Sequence, residues 1–140
     1  MIVRPARPEE REALEAIQRR ASLALDAYRE VLEANPDAIA LPDEQVARGD
    51  VFVAQVDGRL AGFAALDGGE IDGLFVEPDL WRRGIGTALV EAAVHEARRR
   101  GLSLVTVVAE PLALAFYESC GFRFEGKAET RFGPAIRMSR

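Results

Sequence analysis

Two glycines and two arginines stand close together where a predicted strand gives way to a predicted helix. The stretch reads Val76-Glu77-Pro78-Asp79-Leu80-Trp81-Arg82-Arg83-Gly84-Ile85-Gly86-Thr87-Ala88-Leu89. Unpaired backbone N–H groups at the start of a helix, together with the helix dipole, favour a negatively charged ligand. Gly84 and Gly86 let the backbone approach a phosphate oxygen, because they carry no Cβ atom. Arg82 and Arg83 add positive charge. The pattern predicts a phosphate-type anion site that uses the amides of residues 82–88.

The same residues also fit a simpler interpretation, a glycine-rich turn before a helix with solvated arginines. The residues alone leave both interpretations open. Two other phosphate motifs are excluded, because a dinucleotide-binding loop needs the spacing G-x-G-x-x-G and an ATPase P-loop needs Gly-Lys-Ser/Thr. This stretch has neither.

Hydrophobic periodicity predicts the elements that must position this loop. Strands are predicted at residues 2–4, 51–56, 60–66, 70–76 and 102–108, with two closing strands from residue 122 onward. Helices are predicted at residues 8–35, as one long or one broken helix, and at 42–48, 85–100 and 111–119. Asp57-Gly58 marks a tight hairpin, and the apolar run before residue 109 predicts a strand buried on both faces. The fold class is therefore α/β (α+β), a mixed sheet with helices on both faces.

The bulk composition limits the possible functions. With 140 residues and 49% hydrophobic residues, the chain is expected to be one domain, residues 1–140. A net charge of −5 argues against a nucleic-acid partner. No apolar run approaches the roughly 20 residues that cross a bilayer, and the N-terminus lacks a signal peptide, so we expect no membrane partner and a cytoplasmic location. One cysteine and one histidine exclude a cysteine-based metal cluster, and no metal is expected.

Two motifs carry a family resemblance. The stretch around residues 81–86 resembles motif A of the GNAT superfamily of N-acetyltransferases, where a Gln/Arg-x-x-Gly-x-Gly/Ala loop holds the coenzyme A pyrophosphate. Residues 113–122, which read Ala-Leu-Ala-Phe-Tyr-Glu-Ser-Cys-Gly-Phe, are similar to the later family motif A-x-x-F-Y-x-x-x-G-F. The order of predicted elements fits as well, so the resemblance covers essentially the whole chain. It implies the GNAT fold, with a mostly antiparallel sheet of six to seven strands.

The resemblance implies acetyl-CoA as co-substrate and an amine as acceptor. Backbone groups around Leu74, Phe75 and Val76 are expected to pair with the pantetheine arm between splayed strands, and one N–H there to support the oxyanion. The remaining implied contacts with coenzyme A come from Arg82, Arg83, Gly84, Ile85, Gly86, Thr87, Ala88 and Phe116. The acceptor is expected to be a small molecule or a peptide.

The resemblance also assigns catalytic roles. Tyr117 is the expected general acid that protonates the departing thiolate, although Phe116 and Tyr117 also fit packing positions on an amphipathic helix. Glu70 and Asp72, two apart on one strand, are expected to share a face. Either of them, or Glu110 at the end of the adjacent strand, is a candidate general base, and solvated edge charges are the competing explanation.

Two departures from the family pattern bear on these roles. Trp81 stands where the family often has Gln or Arg, so that side-chain contact is lost or replaced by packing. Glu110 stands where many members have Asn, and Glu is a poor helix N-cap.

The acceptor remains open. The segment 129–134 is a candidate to close over the site. A set of acids could attract a cationic amine, although most of them also fit a solvated helix face: Asp26, Glu30, Glu33, Asp37, Asp43 and Glu44. Family habit raises a homodimer through the last strands as an option. The alternative function is a catalytically weak acyl-CoA-binding sensor or partner-binding module.

Overall fold

A computed structural model describes the backbone of all 140 residues and every side chain except those of residues 26–28. The side chain of Asp26, one of the acids considered above, therefore lies outside the described residues. None of the described helices combines the length and the apolar character that crossing a bilayer requires.

The strands and helices follow the predicted order. The strands are β1 Ile2–Pro5, β2 Val51–Val56, β3 Arg59–Asp67, β4 Glu70–Val76, β5 Thr106–Ala109, β6 Arg123–Thr130 and β7 Gly133–Ser139. The α-helices are α1 Arg11–Leu23, α2 Asp26–Ala34, α3 Asp43–Ala47, α4 Ile85–Arg99 and α5 Leu114–Ser119. Short 3-10 turns at Pro8–Glu10, Pro36–Ala38, Pro78–Leu80 and Pro111–Ala113 each begin with a proline, whose missing N–H is tolerated at a first helical position.

The described strands form a seven-stranded mixed sheet in the order β1-β2-β3-β4-β5-β7-β6. β4 and β5 run parallel, while the other neighbouring strands run antiparallel. The β2–β3 hairpin turns at Asp57 and Gly58, whose φ angles of 52° and 79° are both positive, as a tight hairpin turn requires. The predicted fold class is confirmed.

Helices cover both faces of this sheet. On one face, α4 packs Leu89, Val90 and Ala93 against the strands in the larger apolar core, which α5 extends. On the other face, α1 buries Leu14 and Ile17 against β3 in a second core. The sheet is thus held rigid from both sides around its central strands.

The predicted strand at residues 102–108 is wrong in position and in burial. Leu102 N–H donates to the Ala97 carbonyl and still belongs to the exit from α4, and β5 starts only at Thr106. Val107 is buried, whereas Val108 is half-buried because its face of β5 lines an open cleft. The first helix is broken, one of the two predicted forms, at Leu25, whose backbone is extended with ψ 111°.

Candidate active site

Adjacent strands separate in the middle of the sheet and open a cleft. β4 and β5 pair through Glu70↔Thr106 and Ile71↔Val107 at the start of β4, and no further register follows among the described residues. Beyond this point the strands diverge around a cleft of about 1020 Å³. Its described lining includes the predicted residues Glu70, Asp72, Leu74, Phe75, Val76, Arg82, Gly84, Ile85, Gly86, Thr87, Glu110, Phe116 and Tyr117. Arg83 and Ala88 are not part of this lining.

The β4 edge of the cleft offers backbone hydrogen-bonding groups. Glu77 N–H donates to the Ala61 carbonyl of β3 at 2.8 Å. Because successive residues of a strand turn their backbone groups to opposite edges, Phe75 also pairs with β3, whereas Leu74 and Val76 turn theirs toward the cleft. The Trp81 indole N–H donates to the Val76 carbonyl at 2.8 Å. The free backbone groups at this edge are therefore those of Leu74 and the N–H of Val76, whereas the Val76 carbonyl is taken by Trp81 and Phe75 pairs with β3.

The loop at residues 82–87, called the anion loop below, carries a run of unpaired amides. Among the described hydrogen bonds, none has an N–H of these residues as donor. The first amide of α4 that bonds within the helix is Ala88 N–H, which donates to the Gly84 carbonyl at 3.1 Å. The run of free donors therefore ends at Thr87, and Ala88, predicted as a contact, has no free N–H to offer.

Unusual backbone angles shape the anion loop. Arg82 has φ 64° and Gly84 has φ 79°, both in the left-handed region. For Arg82 this conformation costs roughly 1–2 kcal/mol. A Cβ on Gly84 would meet nothing within 4 Å, whereas a Cβ on Gly86 would lie 3.2 Å from the Phe116 ring. Gly84 thus leaves the loop open to a ligand, and Gly86 lets α4 pack closely against α5.

Tyr117 lies at the base of the cleft in an aromatic cluster. Its ring makes edge contacts with Phe116 at 5.1 Å and Phe122 at 5.5 Å between ring centroids. Burial raises the pKa of the Tyr117 hydroxyl, and the nearby Cys120 and Glu110 add to the effect. No hydrogen bond joins this hydroxyl to another described side chain, so a protonated Tyr117 has its donor available to a ligand in the cleft.

Glu70 and Asp72, the two candidate bases on β4, both line the cleft. Burial raises the pKa of the Glu70 carboxyl, and the neighbouring Asp72 charge raises it further. Burial also raises the pKa of Asp72. Asp72 is exposed to solvent, but it lies within the concave wall, where protein atoms replace much of the water around a charge. Both carboxyls are easier to protonate than a surface acid.

Glu110 precedes the turn at Pro111–Ala113 and does not cap it. Its backbone is extended, with ψ 152°, and its side chain makes no capping hydrogen bond. The turn tolerates a poor cap because Pro111 has no N–H to satisfy, and the Glu110 carbonyl accepts from Ala113 N–H at 2.9 Å. The carboxylate is thus left to the cleft.

The acids beside the anion loop are paired instead. Buried Glu77 receives two hydrogen bonds from Arg20 of α1, at 2.8 and 2.9 Å. Arg59 binds Asp79 at 2.9 and 3.0 Å and also contacts Glu77. The Arg20 guanidinium holds the pKa of Glu77 below its usual value. The two acids that precede the anion loop in the sequence are therefore neutralised by Arg20 and Arg59.

Contacts between distant residues complete the site and were not predicted. Gln45 of α3 donates to Asp72, and Arg20 pairs with Glu77. Arg131 of the β6–β7 tip binds Asp37 at 3.1 and 3.2 Å. Its neighbours Thr130 and Phe132 line the cleft and belong to the segment 129–134, the predicted candidate to close over the site. These partners are 27, 57 and 94 residues apart, so no local sequence signal points to them.

Comparison with known proteins identifies the family and the fold. The Acetyltransferase (GNAT) family matches residues 13–122. The peptidyl-lysine N-acetyltransferase YjaB of Salmonella typhimurium is 35% identical over 91% of this chain and 86% of its own length. The [ribosomal protein bS18]-alanine N-acetyltransferase of Escherichia coli is 34% identical over 51% of this chain and only 53% of its own length. The structure of YncA from Salmonella typhimurium, solved with its cofactor acetyl-CoA, has a TM-score of 0.76 at 21% identity and covers 100% of this chain and 92% of its own.

Proposed function

This chain belongs to the Acetyltransferase (GNAT) family and is an N-acetyltransferase, and from this premise we propose that it acetylates lysine side chains of a peptide or protein with acetyl-CoA. The observation that carries the proposal is a single cleft with two chemically different ends. One end has free amides and Arg82. The other end, at the start of β4, has Glu70 and Asp72, and Glu110 follows the end of β5; none of the three forms a salt bridge among the described side chains. An anionic cofactor fits the first end, and a cationic amine fits the second.

The anion loop fits the diphosphate of coenzyme A. Consecutive free N–H groups at a helix start, beside an arginine, provide donors and a positive potential for such a group. The free backbone groups of Leu74 and Val76 fit the amides of the pantetheine arm. When bound, acetyl-CoA supplies the thioester carbonyl that the acceptor amine attacks. A lysine acceptor is supported by the relative YjaB, which matches most of this chain and is named a peptidyl-lysine N-acetyltransferase.

The residues of the cleft then have defined tasks. A carboxylate at the acceptor end removes a proton from the lysine ammonium, so that the neutral amine can form the new C–N bond. The N–H of Leu74 or Val76 donates to the carbonyl oxygen as negative charge develops on it. Tyr117 keeps its proton because its pKa is raised, and it gives that proton to the sulfur as the C–S bond breaks.

Thiol release from acetyl-CoA with a panel of amines tests the proposal. We expect release with a lysine-containing peptide whose N-terminus is blocked, and none with the same peptide carrying acetyl-lysine. An alanine peptide with a free N-terminus, polyamines, amino acids and aminoglycosides complete the panel. Release only with another amine would contradict the lysine assignment. Tight coenzyme A binding without release against any amine would favour a sensor or partner-binding module instead.

Location and assembly are also part of the proposal. A cytoplasmic location is supported by the use of acetyl-CoA, an intracellular co-substrate. A homodimer through the last strands would use β6, the outer strand of the sheet. β6 carries a bulge between Phe124 and Gly126 and several charged side chains, features that also protect an edge from pairing. Sedimentation at micromolar concentration tests this option.

A further inference from the structure

Gln45 of α3 is a buried polar side chain that reaches into the wall of the cleft. It is 6% exposed. Its amide nitrogen donates to the Leu66 carbonyl at 2.7 Å and to the Asp72 carboxylate at 3.1 Å. Because both neighbours are acceptors, the amide group must turn its NH₂ toward them. The two hydrogen bonds therefore fix the orientation of the Gln45 amide.

A β-bulge brings these groups together. The β3–β4 pairing passes from Ala65↔Gly73 to Leu66↔Ile71, so Asp72 is an extra residue without a partner opposite it. A bulge of this kind re-aims the side chain of the extra residue and frees a nearby backbone group from the ladder. The Leu66 backbone faces the β2 edge, where its N–H donates to the Asp50 carbonyl at 2.8 Å. Its carbonyl and the re-aimed Asp72 carboxylate both accept from Gln45.

We propose that Gln45 is a positioning residue that holds Asp72 as the base for the acceptor amine. This inference rests on the proposed function. In the reaction, one Asp72 oxygen takes a proton from the lysine ammonium and later gives it to solvent. The neutral amine nitrogen bonds to the acetyl carbon and loses its second proton to solvent as the C–S bond breaks. The sulfur leaves with the electron pair and receives the Tyr117 proton, which solvent later replaces.

A neutral amide suits this task better than a cation would. An arginine at this position would orient Asp72 equally well, but its charge would make the carboxylate a weaker base. Gln45 donates one hydrogen bond and leaves the negative charge in place. The charged groups that face Asp72 from the neighbouring elements are Glu70 of β4, Asp67 at the end of β3, and Asp50 before β2. Asp50 is neutralised by Arg48 and Arg100.

The test compares pH profiles of kcat/KM for a lysine peptide in the wild type and in Gln45→Met. The acid limb of such a profile reports protonation of the essential base in the free enzyme. The hydrogen bond from Gln45 favours ionised Asp72, so its loss raises the pKa of Asp72 and moves the acid limb to higher pH. We expect kcat/KM at neutral pH to fall roughly tenfold, as for the loss of one hydrogen bond to a charged group.

Repeating the substitution in an Asp72→Asn variant distinguishes a positioning role of Gln45 from a general loss of stability. In Asp72→Asn, which lacks the base, adding Gln45→Met should cost no further activity. The matched control is Gln55→Met, which removes a hydrogen bond to Arg4 outside the described lining of the cleft and should leave the acid limb unchanged. If Gln45→Met unfolds, Gln45→Asn keeps an amide with a shorter reach. The Asp72 carboxyl titration, followed by NMR in the full chain, should then move to higher pH.

The outcomes distinguish the two levels of the argument. An active wild type whose acid limb stays in place in the Gln45 variant would overturn this inference and leave the proposed function standing. An equal loss of activity from Gln45→Met with and without Asp72 would overturn it as well. A wild type that releases no thiol with any lysine peptide would instead contradict the proposed function.

Discussion

Asp72 and Glu77 lie five residues apart on and just after the same strand, yet their surroundings shift their acidity in opposite directions. Glu77 is held by Arg20 and Arg59, and its pKa is lowered. Asp72 has a neutral amide as its side-chain partner, and burial raises the pKa of Asp72 although the hydrogen bond from this amide lowers it. The first arrangement stabilises the fold, whereas the second leaves a desolvated carboxylate without a counter-ion at some cost in stability, as the proposed base requires. At the proposed cofactor end the acids are held in ion pairs, whereas at the proposed acceptor end Asp72 has no ion pair among the described side chains.

The largest expected effect concerns Tyr117, which lines the cleft. Tyr117→Phe removes the donor and keeps the aromatic contacts with Phe116 and Phe122. We expect turnover to fall at least about 100-fold, the lower range for loss of a general acid, while calorimetry gives an unchanged affinity for coenzyme A. If turnover were unchanged, the edge contacts would be the whole role of this residue and the general-acid assignment would be wrong.

The second prediction tests which arginine belongs to the cofactor end. Arg82 lines the cleft and Arg83 does not. Arg82→Asn removes the charge, and Asn tolerates the left-handed backbone better than most residues. We expect coenzyme A affinity to fall roughly tenfold for Arg82→Asn, as for one charge-assisted contact, and less than about threefold for Arg83→Asn, whose charge is screened by solvent. Equal losses in isothermal titration would mean that a diffuse positive charge, and not a specific contact, holds the cofactor.

The two ends of the cleft differ in how far the sequence predicts them, because one is built from neighbouring residues and the other from residues far apart in the chain. The anion loop is a local feature, because glycines, arginines and a helix start within a few residues predict it. The order of strands and helices was predicted from the hydrophobic periodicity. The acceptor end depends on long-range contacts. Nothing in the pattern of Glu70-Ile71-Asp72 signals the bulge that aims Asp72 at Gln45.

Backbone detail was predicted less well than element order. The break at Leu25 carries no glycine or proline that would predict it, and Leu25 lies on the cleft wall. The strand predicted at residues 102–108 was misplaced because its apolar residues serve two purposes, since some follow α4 and others form β5. The apolar composition of the segment does not show which residues leave α4 and which form β5.

The third prediction removes the ion pairs at the rigid end. Glu77→Gln should lower the free energy of unfolding by about 1–2 kcal/mol, less than for a fully buried pair because both arginines are half exposed. Urea denaturation measures the change. Since the pKa of Glu77 is lowered in the fold, its contribution is complete above the unfolded-state pKa and is lost as pH falls through the folded-state pKa.

Two checks accompany this measurement. The difference between wild type and Glu77→Gln should close in acid, and Glu118→Gln, an exposed acid with no described ion pair, should change stability little at any pH. A difference that persists at low pH would show that the shape of the side chain, and not its charge, stabilises the strand end.

The smallest expected effect has the opposite sign and lies at the acceptor end. Asp72→Asn should raise the free energy of unfolding at neutral pH, because it removes a charge that the cleft wall desolvates, and the amide oxygen still accepts from Gln45. The gain should stay below about 1 kcal/mol, since water in the open cleft screens the charge. The pKa of Asp72 is raised in the fold, so the penalty exists above the folded-state pKa and fades as pH falls through it. Urea curves at neutral and acid pH therefore should differ between wild type and Asp72→Asn only at neutral pH. A variant that is less stable at neutral pH would mean that ionised Asp72 supports the fold, and the contrast with Glu77 would disappear.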